Sequence, residues 1–196
     1  MLEVLGDVLQ LVDRFVHARD PTLDPVRVNV KGISGSGKTT FGRQLAERLG
    51  VPYVELDALH HGPNWTEASG EEFRALVREH MAGSPDGWVI DGNYEGKLGD
   101  LVIDAADQIV WLDPPLYFAL RRMCRRTVSR IRNDVELWSG NRENWRNAFI
   151  GWDSLLVWTV RAFFRHRRRW PRKFAGDPRL VRLRSAEEAR RWLDRQ

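Results

Sequence analysis

Gly32-Ile33-Ser34-Gly35-Ser36-Gly37-Lys38-Thr39 matches G-x-x-x-x-G-K-[ST], the spacing at which a glycine-rich turn cradles phosphate. Glycine permits the torsions that point successive N–H groups inward as an anion nest, and a helix beginning near Lys38 adds partial positive charge. The Lys38 ammonium reaches terminal phosphates, and the Thr39 hydroxyl is a hard oxygen suited to Mg²⁺. Gly32, Ser34, Gly35, Ser36, Gly37, Lys38, Thr39 and Thr40 are therefore the candidate residues for holding a nucleoside triphosphate such as ATP, with Mg²⁺ as the companion ion.

Three carboxylates end apolar runs and would stand at the same edge of a sheet. Asp91, after Trp88-Val89-Ile90 and before Gly92-Asn93-Tyr94, is the candidate to hold Mg²⁺ opposite Thr39. Asp57, after the run from Val51 to Leu56, is placed to orient an acceptor hydroxyl or take its proton. Asp113, after Gln108–Leu112, is a second candidate metal-holding acid, but a capping role is the expectation for it. His60 and His61, ahead of Pro63, read as solvent-facing turn residues, with lining of an acceptor pocket beside Trp65 as the alternative. The lone Cys124 excludes an internal disulfide and a cysteine zinc site.

The elements that must position these groups follow from periodicity. Leu2, Leu5, Leu9, Val12 and Val16 mark an amphipathic helix within an N-terminal extension over 1–25. Val26 to Val30 alternates apolar and polar residues as a strand, and a helix from about Lys38 to Leu49 follows the glycine loop. A second strand is expected over 51–56, a helix to about Ala82 from the Ser69/Glu72 capping box, a strand at 88–90, a short helical piece near 98–105 and a strand over 108–112. Beyond Pro114-Pro115 a helix carrying Arg122 and Arg126 runs to about Arg132, and a polar, lid-like loop spans 133–144. Trp145, Phe149, Trp152, Leu156, Val160 and Phe163 mark the buried stripe of one long helix ending before Pro171. A fifth strand at 180–183 and a helix capped by Ser185 and Glu188 complete the chain. This alternation predicts a single α/β domain over 26–196, a three-layer P-loop fold with a five-stranded parallel sheet and a helical Arg-bearing lid over about 121–146.

Charge is divided along the chain. Residues 1–113 hold 10 Lys and Arg against 19 Asp and Glu, net −9, whereas residues 114–173 hold 15 against 4, net +11. Arginine dominates the second block, and its forked guanidinium suits a polyanionic ligand. Only the run Arg165 to Lys173 supports nucleic acid, and a solvated helix end is its simpler reading. No uncharged run approaches the roughly 20 residues that cross a bilayer, and Glu3, Asp7 and Asp13 do not suit a signal peptide, so a cytoplasmic, non-membrane chain is expected.

The motifs resemble those of the nucleoside-monophosphate-kinase-like P-loop kinases, which include adenylate and shikimate kinases. Asp91-Gly92 matches the Asp-Gly pair of adenylate kinases, and Asp113 with Pro115, Arg122 and Arg126 matches their Asp-x-Pro and its following arginines. The resemblance implies that Arg122 stacks on the base and Arg126 contacts phosphates. Leu56 to Trp65, Trp88 to Tyr94 and Trp111 to Pro115 together resemble bacterial adenylate-kinase-like proteins labelled topology modulation proteins. Where adenylate kinases place acceptor-binding arginines this chain has His60 and, in Gly92-Asn93-Tyr94-Glu95, no arginine, so AMP is not the expected acceptor. The expected activity is ATP- and Mg²⁺-dependent phosphoryl transfer to a small acceptor, with Lys38, Asp57, Arg122 and Arg126 as catalytic residues. A nucleic-acid-associated ATPase and a nucleotide-binding regulator without turnover are the competing classes.

Overall fold

The computed structural model describes residues 26–196, so the N-terminal extension expected over 1–25 lies outside the described residues. The order is β1 (Val26–Lys31), α1 (Lys38–Leu49), β2 (Tyr53–Glu55), α2 (Leu56–His60), α3 (Gly70–Ala82), β3 (Gly87–Asp91), α4 (Glu95–Leu98), α5 (Leu101–Ala105), β4 (Gln108–Leu112), α6 (Leu116–Arg132), α7 (Trp145–Phe149), α8 (Leu155–Lys173), β5 (Leu180–Leu183) and α9 (Ala186–Leu193). All five strands are parallel, in the order β2-β3-β1-β4-β5. Strand β1 pairs with β3 on one side and β4 on the other. The glycine loop that follows β1 thus opens at the point where the strand order reverses, where an open parallel sheet leaves a crevice for ligands.

Side chains alternate between the two faces of the sheet, as the pleat requires. Val28, Val30, Val89 and Val110 pack with Phe41, Leu45, Trp192 and Leu193 on one face. Trp88, Ile90, Ile109 and Trp111 pack with Phe73, Val77, Trp170 and Phe174 on the other. Both faces are covered by helices, so the polar residues of β1 are buried rather than solvated. Asn29 donates its amide to the Ile90 carbonyl at 3.1 Å, and Lys31, 2% exposed, places Nζ 2.6 Å from Glu95 Oε1.

Several expected boundaries are corrected. The second strand is only Tyr53–Glu55, because the chain turns into α2 at Leu56, and Asp57 therefore stands in the first turn of a helix instead of after a strand. The helical piece near 98–105 is two short helices, split at Gly99 and Asp100. The long helix expected from Trp145 is broken between Phe149 and Leu155, where Gly151 takes φ of 93° and the Ser154 hydroxyl caps a new helix by accepting from the Val157 N–H. Trp145 and Trp152 consequently lie outside the buried stripe, at 48% and 76% exposure. Helix α8 runs through Pro171 to Lys173, since a proline this close to the helix end forfeits a single backbone bond.

The polar segment after α6 does form a folded-over loop. Its Glu136–Arg142 bridge closes a turn at Trp138–Gly140, which seats on a similar turn at Pro63–Trp65 closed by a His61–Glu67 bridge. Asn141 ties the two together, accepting from the Trp65 N–H at 2.8 Å and donating to the Gly62 carbonyl at 2.9 Å.

Candidate active site

The loop between β1 and α1 has the shape the motif requires. Gly35 has φ of 77°, and any side chain there would be driven into the Ala119 carbonyl of α6. A Cβ on Gly32, at φ of 151°, would meet Ser36 Oγ at 2.6 Å and the Leu112 carbonyl at 2.7 Å. Only glycine lets the loop lie this close to α6 and β4.

Cations gather on this loop from two elements. Lys38 directs Nζ back along it, 3.4 Å from the Ile33 carbonyl. Arg126 donates from Nη2 to Ser34 Oγ at 3.1 Å, and the Arg122 guanidinium lies beside Gly37. The two arginines sit four residues apart on α6, on the same face that packs Ala119 and Met123 against the loop. A groove of about 1600 Å³ runs from Ser36, Gly37, Thr40 and Phe41 past Pro114 and Arg122 to Ser185 and Arg190. Ser36 Oγ is buried there without a hydrogen-bond partner.

Carboxylates line the opposite side. Asp91, 1% exposed, accepts from the Tyr53 hydroxyl at 2.6 Å. Burial raises its pKa to about 6, against the opposing pull of Lys38 and Tyr53. The Tyr53 phenol is itself pushed up by burial and by Asp91, so it stays a donor. Thr39 Oγ1 lies 3.2 Å from Glu55 Oε1, and Asp57 Oδ1 accepts from the Tyr94 hydroxyl at 2.6 Å. Asn93 clasps the start of the glycine loop, accepting from the Gly32 N–H at 3.2 Å and donating to the Gly32 carbonyl at 2.6 Å.

Thr39, Asp91 and Glu55 offer hard oxygen donors, the set that fits Mg²⁺. Among the described residues no three His, Cys, Asp or Glu side chains converge to hold a metal unaided. That suits an ion that keeps waters and shares ligands with phosphate.

Two expectations about single residues are overturned. Asp113 does not cap a helix: it is 4% exposed and accepts from Arg167 Nε at 2.9 Å and from Arg182 Nη2 at 2.5 Å. With two guanidiniums on it, the carboxylate locks β4 to β5 and α8. His60 is 3% exposed rather than solvent-facing, packed against Phe73, Tyr94 and His61. Burial and the neighbouring Lys97 ammonium hold its imidazole below the usual histidine range. Of the residues that sequence reasoning missed, Glu55 was the most accessible, because it precedes Asp57 by two positions on the same apolar run. Tyr53 carried no signal, since its role depends on β2 lying beside β3.

These features define the class: a parallel α/β P-loop protein with the fold of the small-molecule kinases, its glycine loop faced by arginines from one helix and carboxylates from neighbouring strands. A family model described as shikimate kinase matches residues 34–79. The chain is 26% identical over 115 residues to a cytidylate kinase of Pyrococcus horikoshii, covering 53% of this chain and 58% of that protein. It is 28% identical over 116 residues to a shikimate kinase of Chlorobium chlorochromatii, covering 53% and 61%. The chain thus spans about three-fifths of the length of these curated relatives. In three dimensions it resembles a gluconokinase from Sinorhizobium meliloti, with a TM-score of 0.52 at 24% identity over 87% of this chain and 93% of that one. A shikimate kinase from Acinetobacter baumannii in complex with shikimate gives 0.53 at 17% identity, covering 87% and 90%.

Proposed function

We propose that the protein is an ATP- and Mg²⁺-dependent small-molecule kinase. The carrying observation is the placement of Arg126 on Ser34 of the glycine loop, which joins lid helix and phosphate cradle in one site. In this reading Gly32 to Thr40 hold the triphosphate, and Arg122 lies along the groove that accepts the base. Lys38, Arg122 and Arg126 oppose the charge that builds on the transferring group. Thr39 and Asp91 would hold Mg²⁺, which supplies charge neutralisation at the β- and γ-phosphates when bound. Asp57, steadied by Tyr94, orients the acceptor hydroxyl, and the seated 133–144 loop excludes water. The motif pattern shared with adenylate-kinase-like proteins labelled topology modulation proteins supports the same reading, and the absence of arginines at the matching acceptor positions argues against AMP as acceptor.

The test is mass-spectrometric detection of phosphorylated products after incubation with Mg-ATP and a mixed acceptor panel. We expect a product that Lys38→Ala abolishes while leaving the circular dichroism spectrum unchanged. A product that persists in that variant refutes the assignment, and a protein that does not bind ATP refutes the whole reading. A second reading, nucleic-acid association, is favoured by one observation. Arg161, Arg165, Arg168, Arg169 and Arg172 of α8 are exposed and form no ion pair among the described residues. Steeply salt-dependent retention on nucleic acid would mark it.

A further inference from the structure

Helix α8 has two faces, and the fold accounts for only one of them. Thr159, Ala162, Phe163, His166 and Trp170 are buried. Trp158, Arg161, Arg165, Arg168 and Arg172 recur at steps of three and four as a stripe along the exposed face, with Phe164 and Arg169 beside it. From Trp158 to Arg172 this track runs about 21 Å along the helix axis. The arginine of α8 that the fold uses is matched, since Arg167 holds Asp113 at 2.9 Å. The five arginines of the track form no ion pair among the described residues. A solvated helix end does not account for them, because the helix dipole favours cations only within the last turn, and Arg161, Arg165 and Arg168 lie one to three turns before it. Arg161 with Arg165, Arg165 with Arg169, and Arg168 with Arg172 are like charges four residues apart, so the track destabilises its own helix until an anion joins it.

Two features say which anion. A cavity of about 780 Å³ lies on the track, lined by Phe164, Arg165, Arg168, Arg169 and Arg172 together with the Lys173–Asp100 ion pair. None of these residues lines the groove beside the glycine loop, so the two sites are separate. The track continues beyond the cavity to Arg161 and Trp158, which a single nucleotide held in the cavity leaves untouched and an extended strand of phosphates reaches. The second feature is the rings. Phe164 is 62% exposed and Trp158 45%, and the exposed Trp152 already carries the Arg161 guanidinium 5.4 Å from its ring centre. Open aromatic rings interleaved with guanidiniums stack on bases, and bases offer their faces in a single strand but not inside a duplex.

We infer that the exposed face of α8 binds single-stranded nucleic acid, with phosphates on Arg161, Arg165, Arg168, Arg169 and Arg172 and bases stacked on Phe164 and Trp158. This deepens the nucleic-acid reading given above and rests on it. It leaves the proposed kinase site free, so the protein holds ATP and a strand at the same time. Each phosphate neutralised on a single strand adds about 0.7 to the steepness of log affinity against log salt, and five contacts therefore give a slope of about −3.5.

The experiment uses the full chain and fluorescence anisotropy of a labelled, mixed-sequence DNA strand of about 12 nucleotides, its RNA counterpart, and the duplex of the same DNA sequence, each over a range of salt. We expect either strand to bind about tenfold or more tightly than the duplex, with the slope given above. The double variant Arg168→Ala/Arg172→Ala should flatten that slope by about 1.4, and Phe164→Ala/Trp158→Ala should remove most of the preference for the strand over the duplex. Both variants change exposed side chains and should keep the ATP affinity of the parent within about twofold. Duplex bound as tightly as the strand overturns the stacking track while leaving nucleic-acid association standing. No binding of strand or duplex overturns both, and retention on phosphatidylserine vesicles in that case assigns the face to a membrane surface. A strand that Mg-ATP displaces, or whose salt slope the arginine variant leaves unchanged, is bound elsewhere and overturns the inference. The kinase reading stands apart from all of these outcomes, because its test is the Lys38-dependent product.

Discussion

Replacing Glu95 with Gln should expose how much of this site depends on one buried ion pair. Lys31 immediately precedes the glycine loop, and Glu95 follows Asn93 and Tyr94, so the pair ties together the two segments that Asn93 also clasps. At 2% exposure, Lys31 has no water to replace its partner. Burial already draws its pKa below the ordinary 10.5, against the support of Glu95. Glu95→Gln leaves an uncompensated ammonium, a change that costs about 3–5 kcal/mol. Loss of the proton caps that cost. Releasing it at pH 7 from a group that titrates at 10.5 in the unfolded chain costs about 5 kcal/mol, and at pH 9 only about 2 kcal/mol. The variant should therefore unfold about 10 °C or more below the parent at pH 7. Urea unfolding should show the gap between the two narrowing by pH 9. The double variant Lys31→Met/Glu95→Leu removes both charges and should recover to within about 1 kcal/mol of the parent. A single-variant cost below about 1 kcal/mol at pH 7, a gap that does not narrow with pH, or a double variant less stable than the single one would refute the reasoning.

Three further outcomes are expected. Asp91 titrates near 6 because it is buried, so below that pH it is protonated and its hold on Mg²⁺ weakens. Mg²⁺-dependent ATP affinity should fall about tenfold per pH unit below 6 in the parent, and Asp91→Asn should lack that dependence. His166 is held near 4 by burial first and by Arg165, Lys31 and Lys38, with Glu95 opposing. Its folded pKa lies below the unfolded 6.5, so the unfolded chain takes up the proton first and stability is lost as pH falls from 6.5 through 4. That loss is about 3 kcal/mol, read by urea titration, and should be absent from His166→Phe, which keeps a ring stacked on Trp170. Arg122→Ala should weaken ATP binding about tenfold, measured by calorimetry, because its guanidinium lies beside Gly37 in the base-side groove.

The chain's local code carried much of the design. The glycine spacing at 32–39, the apolar run ahead of Asp91 and the capping residues Ser69 and Ser185 act within a few residues of themselves, so sequence alone was enough to locate the loop, the alternation of strands with helices and most helix starts. Arg122 and Arg126 were legible through the resemblance to adenylate kinases, and their spacing of four residues puts them on one helix face. Ser154 was not, because aromatic spacing from Trp145 to Phe163 imitates one continuous stripe, and the break depends on Gly151 adopting a positive φ.

Contacts between distant segments were decided only by the tertiary structure. Asp113 is a strand-end acid like Asp91, and nothing nearby in the chain distinguishes them. One faces Tyr53 and the glycine loop, and the other is neutralised by Arg167 and Arg182, which lie 54 and 69 residues away. The same holds for Lys31 with Glu95, for Asn93 on Gly32 and for Asn141 on the Pro63–Trp65 turn. Sequence determines which groups can do chemistry and what local backbone holds them. Which charges are matched, which are left facing a ligand, and how deeply each is removed from water depend on the packing of elements far apart in the chain, and these set the site's electrostatics.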